Sequence, residues 1–218
     1  MTEAVIFDLD GVLLQSEEVW DQVRENLVRE NGGRWHSNAS PDMMGMSSPE
    51  WSLYMQEELG LLMTPEEINE KAVQGMEAAY SAYLPLISGA KEAVHRMAAR
   101  WPLGLASSSN RPLIDRALRE AELTDLFQAT VSSEEVDRGK PHPDVFLEVA
   151  QQLQVDPNNS AAVEDSHTGV QSAHAAGMAV VLIPNEAFPP GEEASKLARV
   201  ILGGLNELTV DLIEGFGE

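Results

Sequence analysis

Short apolar or β-branched runs that break into a small or acidic residue recur along the chain, and this recurrence limits the folds open to it. The runs are Ala4–Phe7 before Asp8, Leu103–Ala106 before Ser107, Ala129–Val131 before Ser132, Ala161–Val163 before Glu164 and Ala179–Ile183 before Pro184. Helical patterns lie between them. Residues 89–100 place Ala93, Val94, Met97 and Ala98 on one face, and residues 111–121 do so with Ile114, Ala117, Leu118 and Ala121. Residues 143–153 use Val145, Phe146, Val149, Ala150 and Leu153, and Ser166 to Ala176, ending at Gly177, reads as a helix rich in small residues. Strands and helices alternating in this way predict an α/β fold, a parallel sheet with both faces covered.

Between Leu14 and about Leu84 the alternation stops. Residues 16–31 read as an amphipathic helix through Val19, Trp20, Val23, Leu27 and Val28. Residues 64–83 open on Thr64-Pro65-Glu66-Glu67, a capping box with proline at the first helical position. No strand is expected here. A length of 218 residues allows one large domain or a core with a small insertion, at ~150 residues per domain. The simplest account is a helical insertion, residues 14–83, in an α/β core made of residues 1–13 and 84–218. Gly11 and the Leu84-Pro85 region are the expected hinges, and the short acidic tail 214–218 is expected to fray.

Composition removes several functions. With no cysteine there is no disulfide, no thiolate nucleophile and no Cys-ligated zinc, which fits a reducing cytoplasm. Fourteen basic against 36 acidic residues give a formal charge of −22, so few cations exist to build a face for nucleic acid or an anionic membrane. No apolar run approaches the ~20 residues of a membrane span. The N-terminus passes from Glu3 straight into Ala4-Val5-Ile6-Phe7 without a basic n-region, so a signal peptide is not expected.

Four features at run ends carry chemistry. Asp8 and Asp10, before Gly11, face the same way if the strand continues, and two close carboxylates want a divalent cation or a shared proton. The plain alternative, a surface turn or calcium loop, fits poorly after four apolar residues and without a dense twelve-residue ligand loop. Ser107-Ser108-Ser109-Asn110 offers hydroxyls and free amides to an anion at a helix start, or simply caps that helix. In Gly139-Lys140-Pro141-His142-Pro143 a lysine, one of four in the chain, is held ahead of a helix, where an ammonium can offset phosphoryl charge. Glu164-Asp165 supplies hard oxygen ligands of the kind Mg²⁺ takes, or a solvated turn. His142, His167 and His174 read as bystanders. Ligands of open α/β sheets sit outside the carboxyl ends of the strands, so all four features converge on one site.

Asp8-Leu9-Asp10-Gly11-Val12, Ser107, Lys140 and Glu164-Asp165, in this order, resemble the four signature motifs of the haloacid dehalogenase (HAD) superfamily. The resemblance covers nearly the whole chain. It is closest to the branch holding β-phosphoglucomutase-like and sugar-phosphate phosphatase-like enzymes. It implies a doubly wound, Rossmann-like core with an inserted α-helical cap. By the same resemblance Asp8 is the nucleophile that forms an aspartyl-phosphate and Asp10 the acid and then the base. Ser107 binds the transferring phosphoryl oxygens, and Lys140 steadies that group and Asp8. Mg²⁺ is held by Asp8, the Asp10 carbonyl and Asp165, with Glu164 directly or through water. Substrate contacts fall on Ser108, Asn110, Arg111, Gly45 and Met46.

The implied activity is Mg²⁺-dependent hydrolysis of a small phosphomonoester. Asp10 argues against a dehalogenase, which needs no acid for a halide. Mutases of this branch carry a histidine in the first cap helix and an arginine after a cap-loop glycine. The matching stretches, Ser16-Glu17-Glu18-Val19-Trp20 and Gly45-Met46-Ser47-Ser48, hold neither, though phosphomutase and a non-catalytic binding module stay as alternatives. From Trp35 through Glu70 there is no lysine or arginine, against the acids Asp42, Glu50, Glu57, Glu58, Glu66, Glu67 and Glu70. The loop of Met43, Met44, Met46 and Trp51 either faces the substrate or is cap core. The expected substrate is therefore a monophosphate with a neutral or partly apolar leaving group, although Arg111 could supply a cation from the core.

Overall fold

In the computed structural model, which describes residues 1–43, 46–185 and 189–217, the run Ala4–Phe7 is strand β1 and has no exposed surface. The chain then leaves the sheet for four helices, α1 (Glu17–Glu30), α2 (Ala39–Met43), α3 (Ser48–Glu57) and α4 (Pro65–Ala82). It returns through α5 (Ala90–Ala98) to β2 (Leu103–Ser107), α6 (Arg111–Glu120), β3 (Phe127–Ser132) and α7 (Asp144–Leu153). It finishes with β4 (Ser160–Glu164), α8 (His167–Ala175), β5 (Ala179–Leu182), α9 (Gly191–Leu197), β6 (Val200–Ile201) and α10 (Val210–Glu214).

The sheet runs β3-β2-β1-β4-β5-β6 with every neighbouring pair parallel, an α/β doubly wound order. Its strand order reverses between β1 and β4, which opens a crevice at their carboxyl ends. Phe7 lies in register with both Leu105 and Val163, so the three central strands end within two residues of one another. One more ladder bond, from the Asp8 amide to the Val163 carbonyl at 3.0 Å, carries β1 to the first carboxylate. On one side of the sheet, Ile6, Ala106, Val131, Phe146, Val149, Ala162 and Val170 form a continuous buried cluster. The edge strand β3 alternates instead, with Phe127, Ala129 and Val131 inward and Gln128 exposed. β6 escaped sequence reading because two residues carry no period.

The chain divides into two compact units, Met1–Gln15 with Pro85–Glu218, and Ser16–Leu84. The two crossings between them are tied side by side within the first unit. Gln15 N–H donates to the Pro85 carbonyl at 2.8 Å, Ile87 N–H to the Leu13 carbonyl at 2.9 Å, and Leu14 bridges Leu86. The second unit has its own core of Val28, Met43, Trp51, Met55, Leu59, Ile68 and Ala72. Trp20 packs on it, and the Arg24 guanidinium lies 4.7 Å from both the Trp20 and Trp51 rings. α4 starts where expected, with the Glu67 amide donating to Thr64 Oγ1 and the Thr64 amide to Glu67.

The structure decides one open alternative, adds an element and corrects one expectation. Met43 and Trp51, 1% and 3% exposed, are core of the helical unit and present no face to a ligand. Met46 is half-buried against the same core, whereas Met44 and Gly45 lie outside the described residues. α3 was not foreseen: its buried positions Ser48, Trp51, Ser52 and Met55 have helical spacing, but two of the four are serines. The tail does not fray over Glu214 to Gly217. Glu214 pairs with Arg100 at 2.8 Å, and Gly215–Gly217 make a 3₁₀ turn packed against Met1. Among the described residues no helix is long and apolar enough to cross a membrane.

Candidate active site

β1, β2 and β4 deliver their next residues to the crevice, and the first of these is Asp8, 5% exposed. Lys140 Nζ donates to Asp8 Oδ1 at 2.5 Å, to Glu164 Oε1 at 2.6 Å and to the Ala106 carbonyl at 3.0 Å. Its three protons thus meet all three strand ends, and its side chain is 5% exposed. Glu164 Oε2 accepts from the Asp165 amide at 3.0 Å, from the Ser166 amide at 3.2 Å and from Ser166 Oγ at 3.1 Å. That carboxylate therefore sits at the positive end of α8, where an anion is favoured.

Asp8, Glu164 and Asp165 are all buried, and each places a carboxylate oxygen within 4.8 Å of the others. Two glycines make room for them. A Cβ at Gly11, whose φ is +85°, would meet Asp165 Oδ2 at 1.9 Å, and one at Gly169 of α8 would meet Glu164 Oε1 at 1.9 Å. Burial pushes the Asp8 carboxyl well above the usual carboxylate range, Lys140 opposes this, and Glu164 and Asp10 add to it. Burial alone would lower Lys140; the carboxylates of Asp8 and Glu164 overrule it and hold its pKa up. Three carboxylates against one ammonium leave a net negative pocket with hard oxygen donors, and this donor set suits a divalent cation.

Asp10 contributes no carboxylate to this trio. Half-buried, it accepts a hydrogen bond from Ser109 Oγ on Oδ2 at 2.6 Å. Ser107 is fully buried, with Oγ accepting from the Ser109 amide at 3.0 Å, while Ser108 is exposed. Asn110, 4% exposed, donates through Nδ2 to Glu134 at 2.7 Å.

Arg111 is fully engaged elsewhere. Nε donates to Glu135 Oε1 at 2.8 Å and one terminal nitrogen to Glu135 Oε2, while Thr130 takes two bonds, at 2.8 Å on Oγ1 and 2.7 Å on its carbonyl. Asp115 at 3.4 Å takes the remaining proton. All five donors are thus committed, so this residue has no donor left for a substrate in the described geometry.

His142 is exposed, and His167 Nδ1 lies 3.0 Å from the Pro190 carbonyl. Neither joins the carboxylate group.

Sequence reasoning missed Gly169 and gave Ser109, within the serine run, no partner of its own. Ser109 had a signal only in its place in a run of hydroxyls just past the end of β2. Gly169 had none, because nothing local says that its hydrogen faces Glu164.

The chain matches the family model of haloacid dehalogenase-like hydrolases over residues 5–183. Hexitol phosphatase B of Escherichia coli (strain K12) is 32% identical over 216 residues, 94% of each chain. The phosphorylated carbohydrates phosphatase of Thermotoga maritima is 30% identical over 178 residues, 81% of this chain and 82% of its own. CbbY from Rhodobacter sphaeroides, solved in complex with phosphate, superposes with a TM-score of 0.88 over 98% of this chain and all of its own, at 20% identity, and so shares the fold. A reversing parallel sheet, its carboxylates gathered at the switch point and this similarity together place the chain in the haloacid dehalogenase-like hydrolase family.

Proposed function

We propose that this protein is a Mg²⁺-dependent phosphatase that hydrolyses a small phosphomonoester, a sugar phosphate or similar metabolite, through an aspartyl-phosphate on Asp8. The observation that carries this reading is the buried trio Asp8, Glu164 and Asp165 with Lys140 bonded to two of them. The relatives named for hexitol phosphates and phosphorylated carbohydrates support the substrate class.

Asp8, Asp165 and the Asp10 carbonyl would hold Mg²⁺, with Glu164 adding its charge directly or through water. Bound there, it neutralises carboxylates that would otherwise repel an anionic substrate. Asp8 attacks phosphorus, the phosphorus–oxygen bond to the leaving group breaks, and Asp10 protonates the departing oxygen. Asp10 then takes a proton from the water that attacks the aspartyl-phosphate, releasing inorganic phosphate and restoring Asp8. Lys140 holds Asp8 Oδ1 throughout, and Ser107 offers its hydroxyl to the transferring group.

The substrate carries one phosphate and a neutral leaving group. No lysine or arginine occurs from Trp35 through Glu70, Arg24 lies against two indoles, and Arg111 is fully bonded. A second phosphate would find no free guanidinium among these to pair with.

The test is phosphate release from sugar monophosphates, each paired with its bisphosphate, with and without Mg²⁺ and with Asp8→Asn alongside. Metal-dependent release from the monophosphates, at least ~10³-fold lower in Asp8→Asn, is expected when a nucleophile is removed. Interconversion of isomers without release would overturn the reading, and a preference for bisphosphates would overturn the substrate assignment.

A further inference from the structure

Ser109 has its backbone fastened on both sides. Its amide donates to Ser107 Oγ at 3.0 Å, and its carbonyl accepts from Ser132 Oγ at 2.7 Å. Ser107 and Ser132 are both fully buried, at the ends of β2 and β3 and in register with each other. Ser109 itself is 7% exposed. Ser132 is fixed in turn, since its amide donates to Glu135 Oε2 at 2.9 Å and its Oγ accepts from the Glu134 amide at 3.2 Å. The last group in this chain of contacts is the Ser109 hydroxyl, which donates to Asp10 Oδ2 at 2.6 Å.

On the phosphatase reading above, we infer that Ser109 is a positioning residue for Asp10, holding one carboxylate oxygen so that the other keeps a fixed direction. Asp10 stands just past the end of β1, half-exposed, on a side chain with two rotatable bonds. Its two proton transfers, to the leaving oxygen and from water, need that carboxyl in one place. A displacement of about 1 Å can lower a rate about 100-fold. The hydroxyl supplies what burial does not, and it is anchored to two strand ends, so it does not drift with a loop.

Leaving groups separate this role from a structural one. An alkoxide needs a proton as it departs, whereas p-nitrophenolate leaves without one. The value of kcat/KM reports the steps up to that departure and excludes the later hydrolysis of the aspartyl-phosphate. In Ser109→Ala, kcat/KM for a hexitol phosphate is expected to fall roughly 30-fold and for p-nitrophenyl phosphate less than about threefold. Ser109→Thr, which keeps the hydroxyl, is expected to restore most of the loss, and unchanged thermal unfolding of both variants shows that the fold is intact. Equal losses on the two esters, or none on the hexitol phosphate, overturn the positioning role and leave the phosphatase reading standing. Wild-type protein that releases phosphate from neither ester overturns both.

Discussion

Lys140 and Arg111 have every donor occupied, yet they do different things. Lys140 is buried among carboxylates that make the site negative, so its bonds hold Asp8 and Glu164 in place. Arg111 is part-exposed and ties the start of α6 to β3 and to Glu135. The hydrogen bonds of Arg111 hold the Glu135 carboxyl below its ordinary value of 4.5, against partial burial and with help from the Ser132 amide. A carboxyl lowered in the folded state adds stability above its unfolded value, and this is lost as pH falls through the folded value. Arg111→Ala should therefore lower unfolding free energy by about 1 kcal/mol at pH 7, the upper end for a pair screened by solvent. The deficit should shrink below pH 4.5, and urea unfolding of both proteins at the two pH values checks it. An equal deficit at both would assign the effect to the Thr130 bonds. The sequence showed Arg111 as a spare cation because Glu135 lies 24 residues away and its approach depends on β3 pairing with β2.

At the scale of elements, α8 shows how a helix is fitted to a strand end. Ser166 caps it, with Oγ accepting from the Gly169 amide at 3.1 Å, and Gly169 leaves the space that the Glu164 carboxylate fills. Alanine suits a helix better than glycine by about 1 kcal/mol. Gly169→Ala must nonetheless displace Glu164 and, with it, one bond of Lys140. The expected result is at least a tenfold weaker Mg²⁺ dependence of phosphate release and no gain in thermal stability, checked by metal titration and calorimetry. Stability rising by the full helix preference, with Mg²⁺ dependence unchanged, would show that Glu164 has slack. Elements with a strong apolar period were legible, as α6 and α7 show. α3 was not, because Ser48 and Ser52 occupy buried positions and blur the face that Trp51 and Met55 define. Its start did carry a sign, the Ser47–Glu50 pair with proline between them, in which the Ser47 amide donates to Glu50 at 2.7 Å.

For the molecule as a whole, the break in alternation after β1 marked a second unit, and the strand-end residues marked where three carboxylates and a lysine gather. What stayed hidden was long-range: which hydroxyl reaches Asp10 and which carboxylates claim Arg111, while the sequence left open whether Met43 and Trp51 fill a core of their own. Separate buried clusters in the two units predict separate folding competence. Replacing residues 16–84 with a short glycine-serine turn should leave a core with native-like circular dichroism and a single cooperative urea transition. Loss of that transition would mean that the units fold only together.

The backbone bonds joining Gln15 to Pro85 and Leu13 to Ile87 bear on how such a chain can change over time. To the sheet, everything between those points is one loop whose mouth is already closed. Lengthening a loop adds closure entropy only logarithmically, about 0.6 kcal/mol for each doubling. The inserted helices can thus be exchanged, lengthened or resequenced almost without notice from β1 and β2. Selection can then revise the inserted helices at one tempo while the carboxylates and lysine at the strand ends are kept at another.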